Sequence, residues 1–111
     1  MEITLSKDAD HLLCLVYKMY LEKRDLGMTK ADAKFFGSSH TIHEQVVPEW
    51  RFEDVDDTCR ELSVAKMLNV NWADDIAYIV RLSNNGIIYM ENRFKNGISE
   101  VIDFIAKFKP W

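Results

Sequence analysis

The first sustained pattern along the chain is helical. Between Lys7 and Arg24, Leu12, Leu13, Val16, Tyr17 and Tyr20 follow helical spacing, and Leu15 and Met19 widen the apolar face. Ser6 suits an N-cap, Asp8 and Asp10 suit the positive end of the helix dipole, and Gly27 supplies a stop. A second, shorter helix is predicted from Lys30 to Phe36, capped by Thr29 and ended by Gly37-Ser38-Ser39. The stretch from His40 to Arg51 has no clear period beyond a turn of helix around Ile42 to Val46. A third helix is predicted over Phe52 to Lys66, where Phe52, Val55, Cys59 and Leu62 align and Ala65 or Lys66 follows.

The period then falls to two. Leu68, Val70 and Trp72 alternate with Asn69 and Asn71, and Ile76 to Leu82 is rich in β-branched and aromatic residues. Joined at Ala73-Asp74-Asp75, these runs predict a β-hairpin that must pack on the helices to be stable. Ser83 caps a fourth helix, Asn84 to about Phe94, and Asn96-Gly97 breaks it. A fifth helix, Ile98 to Lys107, carries Ile98, Val101, Ile102, Ile105 and Phe108 on one face, with Phe104 and Trp111 as further apolar surface. The predicted fold class is α+β, mainly helical, in a single domain over residues 1–111.

Three helices followed by a hairpin and C-terminal helices resemble the winged helix-turn-helix domains of bacterial and phage regulators. The segment Ile79-Val80-Arg81-Leu82-Ser83-Asn84-Asn85-Gly86-Ile87-Ile88-Tyr89-Met90 is similar to that family's exit from the wing: a strand ending in Leu, a Ser or Thr cap, polar residues, Gly, then an apolar helix. Cys59 to Leu68 is similar to the end of the third helix passing into the wing. The resemblance covers about Phe52 to Phe94. It implies a non-enzymatic regulator that binds double-stranded DNA, with the third helix entering the major groove and the wing tip near the backbone. Lys30, Lys34, Arg51 and Arg60 are then the DNA-binding candidates. It also implies a homodimer formed through terminal helices, with Ile98, Val101, Ile105 and Phe108 as candidates; the same stripe would suit packing on the first helix. Gly86, early in the fourth helix, would let that helix approach the sheet closely.

Charge changes this picture. The 111 residues carry a net charge of −4, with 14 basic and 18 acidic side chains. Between Glu53 and Glu61 stand five acids and one base, and the rest of the chain is balanced. DNA affinity rests largely on Lys and Arg neutralising phosphates. The helix assigned to the groove is the most acidic part of the chain, and the wing tip adds Asp74 and Asp75. Gly37 to Arg51, fifteen residues, is also long against the roughly 3–4-residue turn of a helix-turn-helix. These departures favour an alternative: a winged-helix protein-interaction module in which Glu53, Asp54, Asp56 and Asp57 meet a basic protein partner.

Candidate chemistry is sparse. His40 and His43 are three apart beside Glu44, as are His11 and Cys14, but no further ligand is near in sequence, so no metal site is expected. The two cysteines, Cys14 and Cys59, fall in helical apolar patterns and are expected as reduced, buried hydrophobes. No nucleophile elbow or phosphate-binding glycine loop is present, and neither an enzyme nor a cofactor is expected. Leu12 to Leu21, interrupted by Lys18, is far short of the roughly 20 residues of a membrane span. Met1 to Asp10 carries Glu2, Asp8 and Asp10 where an export signal begins with basic residues. A cytoplasmic location is the expectation.

Overall fold

A computed structural model describes residues 4–108; Trp111, read above as apolar surface, lies outside the described residues. The chain runs through α1 (Lys7–Asp25), α2 (Lys30–Lys34), β1 (Phe35–Gly37), α3 (Ser39–Gln45), α4 (Phe52–Val64), β2 (Leu68–Ala73), β3 (Ile76–Leu82), α5 (Asn84–Arg93) and α6 (Ile98–Ile105). Helices dominate this α+β fold, and the strands form one antiparallel sheet in the order β1-β3-β2.

Local chemistry explains most boundaries. Ser6 caps α1 by accepting from the Ala9 amide at 3.2 Å. The helix ends in a left-handed Gly27, where the Gly27 and Met28 amides bond back to the Arg24 and Lys23 carbonyls. The helix predicted over Phe52 to Lys66 is α4, and it stops at Val64 in the same motif. Here Lys66, at φ 66°, takes the left-handed position, and Met67 donates to the Leu62 carbonyl at 2.9 Å. The hairpin turn is tighter than its sequence suggests. Asp74 and Asp75 alone form it, both at positive φ, the geometry of a two-residue turn that follows the strand twist.

Two elements differ from the expectation. Phe35 and Phe36 do not continue α2 but open strand β1, in which Phe35 pairs with Arg81 and Gly37 with Val80 of β3. Phe36 is buried and Phe35 is exposed, as alternation on a strand requires. In place of the turn of helix expected around Ile42 to Val46 stands the longer and earlier α3, capped by Ser38, whose hydroxyl accepts from the Thr41 amide at 3.3 Å. The fifteen-residue loop is therefore shortened. Only residues 46–51 separate α3 from α4, so the helix preceding α4 is α3 and not α2.

One continuous core joins Leu12, Leu13 and Val16 of α1 with Ile42 of α3, Val55, Cys59 and Leu62 of α4, Leu68, Val80 and Leu82 of the sheet, Met90 of α5 and Val101 of α6. Both cysteines are free and buried, and burial pushes each thiol up to about 12. Gly86 acts as anticipated from its position. A Cβ there would stand 2.4 Å from the Met67 carbonyl oxygen and 3.1 Å from Leu82 Cδ1. Ser83 closes the same junction: its backbone amide donates to the Met67 carbonyl, and its hydroxyl accepts from the Gly86 amide at 2.8 Å.

The stripe on α6 points into its own chain. α6 packs on α1, Val101 is fully buried, and Ile105 and Phe104 rest against the core. Phe108 stacks on His11 with ring centroids 4.2 Å apart. Val101 is thus withdrawn as a dimer residue, because its side chain is already covered. Ile98 and Phe108 are partly buried, and Ile102 is the exposed apolar residue of this helix. No helix among the described residues is long and apolar enough to cross a membrane.

Candidate functional site

α4 exposes Glu53, Asp54, Asp57, Arg60 and Val64, because Val55, Cys59 and Leu62 turn the opposite face to the core. Glu53 and Asp54 sit in the first turn, where amide dipoles favour negative charge. The hairpin tip adds the exposed Asp74 and Asp75.

Arg60 ties helix to hairpin. Its guanidinium lies 4.2 Å from the Trp72 ring centroid, a cation–π geometry, and 3.4 Å from the Asp75 carbonyl oxygen. It also stands 3.9 Å from Asp56 Oδ2. Beside it runs an open groove of about 570 Å³, lined by Leu5, Asp57, Arg60, Glu61, Val64 and their neighbours. Val64 is 79% exposed, so the acids flank an apolar strip.

Two acids of the 53–61 window are occupied inside the fold. Asp56, read above as a partner-binding residue, is buried. Its Oδ1 accepts from the Ser39 hydroxyl and from the Ala77 amide, both at 2.9 Å, joining α4 to α3 and β3. It leaves the set of partner-binding candidates for that reason. Glu61 clamps the start of α1, accepting from the Ser6 amide at 2.8 Å and its hydroxyl at 2.7 Å. Glu53, Asp54 and Asp57 remain free on the exposed face.

The basic candidates are dispersed. Lys30 opens α2 and is exposed, whereas Lys34 donates to Asn84 Oδ1 at 2.8 Å, at the start of α5. Arg51 is the residue before α4 and is exposed. Arg60 alone belongs to the α4–hairpin face, already engaged with Asp56 and Trp72. Elsewhere, Lys18 pairs with Glu22, and Arg93 forms a two-pronged bridge to Asp10.

The histidines serve packing. His40 stacks on Phe52 at 4.1 Å, and His43 places Nε2 at 2.6 Å from the Trp50 carbonyl, which requires a proton on Nε2. Among the described residues no group of three or more His, Cys, Asp or Glu is arranged to hold a metal ion. Sequence reasoning missed Trp72 and Val64 as surface features. Leu68, Val70 and Trp72 alternate with the asparagines, but the register shifts between Asn71 and Trp72, and Trp72 is exposed beneath Arg60. No protein-family model, curated protein or solved structure matches the chain.

Proposed function

We propose that the chain is a winged-helix-type module that binds a basic segment of a protein partner through the exposed face of α4 and the hairpin tip. The observation that carries this reading is the exposure of Glu53, Asp54 and Asp57 on α4 and of Asp74 and Asp75 at the hairpin tip, the two elements that Arg60 ties together through Trp72. Five carboxylates facing water on one helix and one turn attract a cationic partner and repel phosphate. The exposed Trp72 and Val64 add apolar surface to these two elements, and tryptophan is enriched among the energetic anchors of protein interfaces.

Duplex DNA is the second reading, favoured by the order of elements. A helix, a short turn, a second helix and a hairpin form the arrangement in which the second helix of a pair enters the major groove. Lys30, Lys34 and Arg51 would then be its phosphate contacts.

Binding measured with a labelled oligo-arginine peptide and with random-sequence duplex DNA, each over ~50 to ~200 mM salt, separates the two. The expected result is salt-sensitive peptide binding and no DNA binding. Glu53→Gln/Asp54→Asn/Asp57→Asn should weaken the peptide about tenfold. Glu44→Gln/Glu91→Gln/Asp103→Asn, an equal charge change on other exposed positions, should have a much smaller effect. DNA binding with a steep salt dependence, or equal losses in both triple variants, would overturn the reading.

A further inference from the structure

Among the partly buried Lys and Arg of the described residues, Arg93 is matched to Asp10 and Lys18 to Glu22, while Lys34 donates to the neutral Asn84 Oδ1. Lys23 likewise meets only neutral groups. Its stem is partly buried on α1, and its ammonium donates to the Phe35 carbonyl at 2.8 Å and lies 4.0 Å from the Phe36 ring centroid. No ion pair among the described residues includes it. Desolvation lowers its pKa, and no neighbouring carboxylate offsets that shift.

Lys23 lines a cleft of about 290 Å³ between α1, β1 and α3. Ile42 and Phe36 are its buried apolar walls, and Met19, Phe35 and Val46 are among its other apolar linings. Thr41 and Gln45 add polar groups. The strand can border α3 this closely because Gly37 has no side chain: a Cβ there would stand 3.0 Å from Thr41 Oγ1. Its φ of 76° also favours glycine. The volume falls just below the ~300–1,000 Å³ usual for the ligand pockets of proteins, so it suits only a small molecule.

We infer that this cleft binds a small organic acid, its carboxylate on Lys23 and its apolar or aromatic body against Phe36 and Ile42. A charge taken partly out of water without a counter-charge gains from an incoming anion, and a charge-assisted bond in an apolar surround is stronger than one in water. A neutral molecule of the same shape gains only the apolar contact. The cleft is built from α1, β1 and α3, so this site stands independently of the partner surface on α4.

Amide NMR titration with sodium benzoate, and with benzyl alcohol as the neutral counterpart, tests the inference. Benzoate should shift the amides of Phe36, Gly37 and Thr41 saturably, and benzyl alcohol should bind about tenfold more weakly. Lys23→Met should remove the preference for benzoate, and Lys23→Arg should keep it. Benzoate should also raise the Lys23 pKa in the unsubstituted protein, a readout that survives if a variant fails to fold. Absence of saturable shifts at these amides, equal binding of the two probes, or unchanged benzoate preference in folded Lys23→Met would overturn the site.

Discussion

Asp56 and Asp57 stand side by side on α4 in opposite surroundings. Asp57 is exposed, while Asp56 accepts two hydrogen bonds from groups 17 and 21 residues away in sequence. Replacing Asp56 with Ala leaves the buried Ala77 amide without its acceptor and the Ser39 hydroxyl with only the longer, 3.3 Å bond to the Ala77 carbonyl, and should cost about 1–3 kcal/mol in urea denaturation. Asp57→Ala should change stability by no more than about 0.5 kcal/mol. Equal effects would contradict the contrast in burial. Gly86 is the second residue whose identity is dictated by distance. Gly86→Ala improves helix propensity, yet its methyl meets backbone that cannot swing away. A loss of about 1–3 kcal/mol is expected, and a stabilised variant would show that α5 can move off the α4–β2 junction.

At the scale of elements, an aromatic contact fixes the chain just after α6 to α1. His11 on α1 stacks against Phe108, and burial lowers its pKa more strongly than the nearby carboxylates of Asp8, Glu49 and Asp10 raise it; Lys7 adds to the lowering. The folded chain therefore favours the neutral ring. Stability from this contact is present above the unfolded value near 6.5 and is lost as pH falls through the lower folded value. An NMR titration should place the His11 midpoint below that of the denatured chain, and Phe108 ring signals should change with it. A midpoint at or above the denatured value would contradict the packing. The elements also divide by how plainly the chain announces them. α1, α4, the hairpin, α5 and α6 are long enough to display a period, and each occupies nearly its expected range. β1 and α3 are not. A three-residue strand has too few positions to alternate, and Phe35-Phe36 after a capped turn reads equally as helix.

For the whole molecule, the α6 stripe bears on assembly. Had it faced water, a dimer would have been its natural use. Because Val101 is buried and Phe108 is stacked within the chain, sedimentation at high micromolar concentration is expected to give a monomer. A concentration-dependent dimer disrupted by Ile102→Glu would instead assign the remaining exposed part of α6 to self-association. The net charge of −4 is likewise a property of place. Asp56 and Glu61 are engaged in internal hydrogen bonds, so the acidity that α4 presents outward comes from Glu53, Asp54 and Asp57, joined by the hairpin tip.

By itself the sequence determined the helical faces, the capping residues, the hairpin and the buried character of both cysteines. Each depends on spacing within a few residues of chain, where the period of helix or strand is enforced by backbone geometry. Only the tertiary structure decided which carboxylates serve the fold, that α6 covers α1, that Trp72 lies beneath Arg60, and that Lys23 has no counter-charge. The physical reason is that a polar group's free energy is set by its neighbours in space. Those neighbours come from elements far apart along the chain, and no local period specifies them.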